Sequence, residues 1–361
     1  MSNSGISGRK AQHLEICLDG DQYQVETHRS RLDEVHLVHR SLPEIDAASV
    51  DTSFHFLGHT CRLPVFISSM TGGSSEAYRT NKDLAAVAGE LGIAVGMGSI
   101  RILLRKPEVI DDFRLKQFAP NVPVFANIGG VQLPQVSHDE LFRLAGTLRV
   151  DGIAVHLNPG QEIFQPDGDR DFTGVMEALQ SFIERSPVPV IVKETGFGIN
   201  PAEAIALRDA GVAYVDVAGA GGTNWVRVEA YRHEEIAAIQ AAGEFDDWGM
   251  PTALVLAALG RDQTGILASG GIRTGMDVVR SLALGAEAAG MALPFIRAIR
   301  TGGIRAAVEF GHRLEYVIRA ATALTGCTTV TGLRNAPIWL EEPLDRDAHA
   351  LRTTTIGPDQ G

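Results

Sequence analysis

The sequence predicts a single (β/α)8 barrel with an N-terminal extension and a short C-terminal tail. Eight short apolar runs, bounded by glycine, proline or polar residues, occur between residues 64 and 335. Amphipathic stretches of helical period lie between them. Strands that are apolar along their whole length are typical of a parallel sheet covered on both faces. Eight successive β–α units are the number that closes a barrel.

The eight strands are expected to begin at Val65, Ile93, Val124, Ile153, Val190, Tyr214, Gly265 and Ala288. Two of the intervening helical stretches, PAEAIALRDAG and GMDVVRSLALGA, contain glycine where a helix C-terminus prefers it. Residues 1–63 are predicted to form the N-terminal extension, 64–335 the barrel and 336–361 a tail with little periodicity. A doubly wound open sheet is the alternative, but no GxGxxG motif opens the first β–α unit.

The composition limits the possible partners. The 361 residues include 44 acidic and 32 basic ones, for a formal net charge of −12. This balance argues against binding to nucleic acid or to a membrane surface. No signal peptide or membrane-spanning apolar run is evident. Cys17, Cys61 and Cys327 have neither metal-ligand nor disulfide spacing. We therefore expect a soluble cytoplasmic protein.

Candidate site residues cluster where the predicted strands end, which is where barrel enzymes place their active sites. Alone, a serine or threonine there is more often a helix N-cap than a ligand. In the same way, a lone lysine could lie at the surface and a lone histidine in the core. Their shared position on one rim instead favours a binding site. The residues are Ser69, Met70, Thr71, Ser99, Asn127, His156, Asn158, Lys193, Thr223, Ser269, Gly270 and Gly271.

This rim lacks a nucleophile with a base beside it, so a bound cofactor is the better interpretation. The stretch ASGGIRTGMDVV is a glycine-rich turn that leads into a helix, which suits a phosphate group. Loops after the seventh and eighth strands are the usual phosphate site of this fold. A cation at Lys193 could stabilise negative charge on the N1–C2=O edge of a reduced flavin. FMN would supply both the phosphate and the ring.

These residues resemble the FMN-dependent, type 2 isopentenyl-diphosphate Δ-isomerases. The resemblance extends from Arg9 to about Pro337. The combination of HLNPGQE, VKETGFG and GGTNW is highly specific, whereas SGGIRTGMDVVRSLALGA is shared widely among FMN barrels. Other matching stretches are RKAQHLE, SSMTGG, GMGSIR, ANIG, PDGDRDF and GMALP.

The resemblance implies positions for the cofactor. Ile100 departs from the family pattern, because many members carry glutamine or another polar residue there. The FMN phosphate would contact Gly271, Ile272, Arg273, Ala292 and Leu293. The rest of FMN would contact Ser69, Met70, Thr71, Ser99, Asn127, Lys193 and Thr223.

The resemblance also implies the substrate site. Gln161 would be a catalytic residue, with His156 and Asn158 beside it, and Glu162 would bind Mg²⁺. The two neighbours Gln161 and Glu162 are expected in a loop after the fourth strand. The substrate would contact Gln161 and the residues Arg9, Lys10, His13, Ser99 and Arg101.

The implied reaction is the interconversion of isopentenyl and dimethylallyl diphosphate, a step of isoprenoid biosynthesis. Reduced FMN would act as an acid–base catalyst, with NADPH or NADH as its reductant. The family implies a homotetramer or homooctamer. An FMN-dependent 2-hydroxy-acid oxidase is the alternative, but it needs a histidine base after the sixth strand. Here that segment contains glycine and threonine, and His233 comes later, on an expected helix.

Overall fold

The computed structural model describes residues 12–70 and 74–356. Eight parallel strands form a closed barrel, in the order β10-β11-β4-β5-β6-β7-β8-β9. The predicted fold and all eight predicted strands are therefore confirmed. The barrel strands are β4 (Val65–Ile67), β5 (Ala94–Ser99), β6 (Val124–Gly129), β7 (Gly152–His156), β8 (Val190–Lys193), β9 (Tyr214–Asp216), β10 (Ile266–Ala268) and β11 (Ala288–Met291).

Helices and 3₁₀ turns connect and surround these strands. Residues 12–18 form helix α1. The later helices are α2 (Ser75–Leu91), α3 (His138–Leu148), α4 (Pro159–Phe164), α5 (Val175–Arg185), α6 (Pro201–Asp209), α7 (Trp225–Ala230), α8 (Ile236–Gly243), α9 (Thr252–Leu259), α10 (Gly275–Ala283), α11 (Leu293–Leu324, kinked at Gly302 and Gly303) and α12 (Glu342–Thr355). The 3₁₀ segments are Leu32–Glu34, Ala47–Ser49, Ile100–Leu104, Pro107–Phe113, Leu115–Gln117, Gly130–Gln135 and Val330–Asn335.

A hairpin from the N-terminal extension closes the barrel at the N-terminal ends of its strands. Strand β2 (Phe54–Phe56) pairs with β3 (His59–Cys61). The ring of Phe56 lies 6.0 Å from Phe66 and 4.8 Å from Tyr214, measured between ring centroids. Side chains alternate along a strand. Ser68 and Asp216, two positions after Phe66 and Tyr214, therefore also face the interior, one layer nearer the C-terminal ends of the strands. That next layer is the floor of the cavity described below.

The predicted tail, residues 336–361, contains a strand and a helix. Strand β12 (Ile338–Leu340) pairs antiparallel with β1 (Val35–Leu37). Helix α12 packs against α9 and α6, and it buries Leu344 and Ala348. Two buried residues in a helix of 14 leave little apolar periodicity in the sequence, although the neighbouring elements supply enough contact surface.

Candidate active site

A cavity of about 530 Å³ opens at the C-terminal ends of the barrel strands. This is the end at which the sequence places the functional residues, and most of them line it. Those that do are His13, Ser69, Met70, Ser99, Arg101, Asn127, His156, Asn158, Gln161, Glu162, Lys193, Thr223, Gly271, Arg273, Ala292 and Leu293. The strand ends thus bring together residues from both ends of the chain.

Three of the predicted site residues, Arg9, Lys10 and Thr71, lie outside the described residues. The side chains of Ile272 and Ile100 are fully buried in the hydrophobic core. Ile272 can therefore offer only its main chain to a ligand, and Ile100 replaces a polar residue without exposing apolar surface.

The glycine-rich turn after β10 has no room for side chains. Gly270 and Gly271 have positive φ angles of 90° and 79°. A Cβ atom on Gly271 would lie 2.7 Å from the carbonyl oxygen of Gly221, and one on Gly222 would lie 2.9 Å from the amide nitrogen of Gly271. The turn ends in a capping box, in which Thr274 and Asp277 satisfy the first turn of α10. Only main-chain atoms of these glycines can approach a ligand here, as a phosphate cradle requires.

Two buried hydroxyl groups line the same cavity as this turn. Ser68 and Ser69 line the cavity, and within the described part of the chain neither Oγ atom has a hydrogen-bond partner. Buried polar groups without partners are rare and commonly indicate an absent ligand or water. Together with the glycine turn, they fit a polar, phosphate-bearing cofactor. The sequence identified Ser69 but not Ser68, which faces inward two residues after Phe66.

The floor of the cavity contains a buried lysine. Lys193, at the end of β8, lies opposite Asp216 of β9 in the strand register. Its ammonium group donates a hydrogen bond to the main-chain oxygen of Glu194. Burial lowers the pKa of Lys193 and raises that of Asp216, and the attraction between them opposes both shifts. This arrangement puts a lysine at the bottom of the cavity, with an aspartate as its neighbour in the strand register.

Helix α4 presents the catalytic candidates of the HLNPGQE motif, which corrects the expectation that Gln161 and Glu162 lie in a loop. Pro159 starts the helix, a position that proline favours. The amide nitrogen of Asn158 lies 3.1 Å from both Gln161 Oε1 and Glu162 Oε1, so it links the two side chains. On the other side, His156 Nδ1 lies 2.7 Å from Asn127 Oδ1. The motif thus forms one hydrogen-bonded rim.

Glu162 is suited to binding a hard cation together with an external ligand. Its side chain is buried, and Oε2 accepts a hydrogen bond of 2.8 Å from the Asp169 main chain. Burial raises the pKa of Glu162, although the hydrogen bonds from Asp169 and Asn158 partly oppose this. Within residues 12–70 and 74–356, no group of three or more His, Cys, Asp or Glu side chains could hold a metal by itself. Oxygen atoms of a substrate would have to complete the coordination.

Sequence reasoning missed Glu229, a carboxylate of α7 with a completely buried side chain. Gln161 Nε2 donates to its Oε1 at 2.9 Å, and His13 Nε2 lies 2.9 Å from the same oxygen. Arg232 pairs with the other oxygen. Burial alone would raise the pKa of Glu229, but these partners hold it below its usual value. The sequence signal for a buried Glu229 is its place among the apolar residues Val226, Val228 and Ala230.

The N-terminal extension covers one side of the cavity. The main chain of Asn224 donates to Val25 O at 2.7 Å, and its side chain donates to Thr27 Oγ1 at 3.0 Å. Glu26 forms an ion pair with Arg273. The guanidinium group of Arg273 therefore already has a counter-ion from the extension. The main-chain N–H groups of the turn are therefore better candidates than Arg273 for donating to a phosphate.

His233 does not supply a base to this cavity. It lies in the connection between α7 and α8, not on a helix as expected. Its Nε2 lies 2.6 Å from the main-chain oxygen of Phe164. Since His233 is also absent from the cavity wall, the described segment after the sixth barrel strand does not place in the cavity the histidine that the oxidase alternative would need there.

Known proteins match this chain over most of its length. The sequence profile of the FMN-dependent dehydrogenase family matches residues 15–103 and 156–340. An isopentenyl-diphosphate delta-isomerase of Aeropyrum pernix is 41% identical over 350 residues, covering 95% of this chain and 92% of that protein. The protein of the same name from Nostoc is 40% identical over 323 residues, covering 89% and 91%. That of Methanosarcina barkeri is 38% identical over 366 residues, covering 99% of each.

Solved structures share the fold at low sequence identity. A mutant flavocytochrome b2 has a TM-score of 0.66 at 17% identity, covering 97% of this chain and 86% of that chain. A mandelate oxidase mutant with a monooxide FMN adduct has a TM-score of 0.59 at 19% identity, covering 94% of each chain. At this level of identity the likeness supports the barrel fold alone.

Proposed function

Because the chain belongs to the family of FMN-dependent isopentenyl-diphosphate delta-isomerases, we propose that it interconverts isopentenyl diphosphate and dimethylallyl diphosphate by a 1,3-allylic proton transfer. The reaction moves one double bond and one proton, and it involves no net oxidation. The observation that carries the proposal is the joining of two sub-sites in one cavity. The glycine turn and Lys193, which would form the cofactor sub-site, line the same cavity as Asn158, Gln161 and Glu162, which would form the substrate sub-site.

FMN would be held by the turn of Gly270 and Gly271, by the hydroxyl groups of Ser68 and Ser69, and by Lys193. When bound and reduced, FMN supplies an electron-rich ring that can exchange a proton with the substrate alkene. Lys193 would place its ammonium charge beside the N1–C2=O edge of that ring. Of the remaining contacts inferred from the sequence, Asn127 and Thr223 line the same cavity, and Ile272 would offer its main chain.

The other sub-site would hold the diphosphate. Glu162 would bind Mg²⁺ jointly with phosphate oxygens, because hard cations prefer oxygen ligands and are seldom held by a single carboxylate alone. Arg101, paired at 3.0 Å with Asp169, and His13 would add positive charge and hydrogen bonds. Arg9 and Lys10, outside the described residues, are proposed to complete this contact and to exclude water when substrate binds.

Gln161 would face the reacting part of the substrate. Its amide orientation is determined by two neighbours, since Asn158 donates to its oxygen and its nitrogen donates to Glu229. A side chain held at both ends can place a hydrogen bond without losing conformational freedom during the reaction. His156 and Asn158 would keep this rim in place.

We further propose that NADPH or NADH reduces the flavin, and that the protein acts in the cytoplasm as a homotetramer or homooctamer. Within the part of the chain that the structure describes, no helix is long and apolar enough to cross a membrane.

The proposed reaction predicts turnover without consumption of reductant. Enzyme carrying FMN that has been photoreduced without oxygen should convert isopentenyl diphosphate in D₂O over many cycles, with deuterium appearing in the product. The measurement combines mass spectrometry of the product with the absorbance of the flavin. One NAD(P)H oxidised for each product, or equal activity with oxidised flavin, would contradict the proposal. Oxidation of added 2-hydroxy acids would instead support the oxidase alternative.

A second prediction concerns the cradle. Gly271→Ala forces a Cβ into a left-handed backbone position that costs about 1–3 kcal/mol, so FMN affinity should fall about tenfold or more. Binding is measured by quenching of flavin fluorescence. Gly146→Ala is the matched control, because a Cβ at this position of α3 meets no atom within 4 Å. The chromophore released by heat from the unaltered protein should be FMN and not FAD, since the cavity offers a single phosphate cradle.

A further inference from the structure

Asp216 is a buried carboxylate directly behind the proposed flavin site. It is 1% exposed and is not part of the cavity wall. Its side chain faces the barrel interior, because Tyr214, two residues earlier on β9, contacts Phe56 there. Neither the sequence motifs nor the proposed mechanism assigns this residue a role. An ionised group in such a position is stable only when other groups compensate its charge.

Two hydrogen bonds hold the carboxylate in one orientation. Oδ2 accepts from the hydroxyl group of Ser269 at 2.9 Å, and Oδ1 accepts from the main-chain N–H of Ala218 at 3.2 Å. Both donors line the cavity, and Ala218 has a left-handed φ of 41°. Hydrogen bonds donated to a carboxylate favour its charged form. Asp216 therefore joins the ends of β9 and β10.

The residue opposite Asp216 in the register of β8 is Lys193. Its ammonium group donates to a neutral acceptor, the main-chain oxygen of Glu194. Burial lowers the pKa of Lys193. Attraction to Asp216 and to Glu194 opposes this shift, and the attraction to Asp216 is the larger of the two. The Glu194 carboxylate already accepts hydrogen bonds from three main-chain N–H groups, those of Gly196, Phe197 and Gly198.

The other neighbouring strand adds no negative charge. On β7 the register partner of Lys193 is His156, whose Nδ1 lies 2.7 Å from Asn127 Oδ1. Asp216 is thus the acidic residue paired with Lys193 in the barrel register.

We propose that Asp216 is a positioning residue that keeps Lys193 protonated, so that a positive charge faces the flavin ring in both of its redox states. Asp216 does not contact the ring and acts through Lys193. The inference rests on the proposed FMN site and extends it to a residue behind the cavity wall. It predicts that the relative affinity of the protein for reduced and oxidised FMN depends on the charge at position 216.

The test is the flavin midpoint potential of the holoenzyme carrying Asp216→Asn, which removes the charge and changes the size little. If Asp216 keeps the proton on Lys193, the variant loses both charges, and the ring loses its cation. Affinity for reduced relative to oxidised FMN should then fall about tenfold or more, which lowers the potential by about 30 mV for each factor of ten. If Lys193 stayed protonated in the variant, removing a negative charge would raise the potential. A higher or unchanged potential therefore overturns the inference.

Matched variants separate this role from a structural one. Lys193→Met should lower the potential in the same direction, and the double variant Lys193→Met/Asp216→Asn should match Lys193→Met alone. Ser269→Ala removes a hydrogen bond to Asp216 but keeps the charge, so the potential should fall less than in Asp216→Asn. An additive double variant would contradict the inference.

Asp216→Ser serves as a second uncharged variant. Loss of FMN binding in both Asp216 variants, while Lys193→Met still binds it, would mean that Asp216 only supports the fold of the site, and would overturn the inference. Failure of the unaltered protein to bind FMN, or no change of potential in Lys193→Met, would instead disprove the proposed flavin site or the proposed role of Lys193.

Discussion

Glu162→Gln should raise the Mg²⁺ concentration needed for half-maximal activity by about ten- to a hundred-fold, because a charged contact in such a site contributes about 1.5–3 kcal/mol. The substitution replaces a full negative charge by an amide that a hard cation binds poorly. The amide oxygen can still accept the hydrogen bond from the Asp169 main chain, so the fold of α4 should persist. Substrate affinity should fall together with metal affinity, because metal and diphosphate are proposed to bind jointly. High Mg²⁺ should partly restore activity.

Gln161→Ala is the matched comparison, one residue earlier on the same helix. It should lower kcat while leaving the Mg²⁺ dependence nearly unchanged, which is the pattern of a lost transition-state interaction. Titration of Mg²⁺ against the activity of both variants gives the result. If the Gln161 variant needs more metal and the Glu162 variant does not, the two roles are reversed. If both variants lose stability and flavin, the residues only maintain the end of the strand.

Glu229→Gln should lower kcat by about ten- to a hundred-fold, the effect expected when a charge-assisted hydrogen bond is lost. The carboxylate accepts from Gln161 Nε2 and pairs with His13 and Arg232. An amide at this position can accept fewer of these bonds, so Gln161 would lose the partner that orients it, and Arg232 would lose its counter-ion. Metal dependence and FMN content should change little, since Glu229 contacts neither proposed ligand group.

The control for this experiment is Glu234→Gln, an exposed glutamate five residues later that does not line the cavity. It removes the same charge from the same region and should leave kcat unchanged. Steady-state kinetics are measured with thermal melting of both variants. A Glu229 variant with unaltered kcat but a lower melting temperature would show that the carboxylate stabilises α7 without orienting Gln161.

The positions of most candidate site residues could be predicted because a closed barrel fixes where the ends of its strands lie. Once the strands are recognised, their C-terminal ends must meet on one rim, whatever the connections between them do. Residues as distant in the chain as Ser69, Asn127, Lys193 and Gly271 therefore line one cavity, as expected. The glycine turn was also predictable, since positive φ angles and close main-chain approaches are local requirements that glycine meets.

Other features depend on contacts that no local pattern records. Glu229 acquires a role only because α7 places it beside Gln161 and His13, which come from separate parts of the chain. The helical position of Gln161 and Glu162 was missed because α4 has six residues, too few for a periodic pattern.

By itself, the sequence determined the barrel, its eight strands, the glycine-rich turn after β10 and the rim on which the candidate residues lie. Each of these depends on the hydrophobicity and backbone preferences of consecutive residues. Only the tertiary structure decided which charged side chains are paired inside the barrel. In the sequence, Asp216 is one polar residue within the run YVDVAGAGG. Its position opposite Lys193 follows from the register of β8 and β9. The pairing of β1 with β12 and the packing of α12 were decided in the same way. Such contacts depend on the geometry of the whole barrel, in which residues far apart in sequence become neighbours.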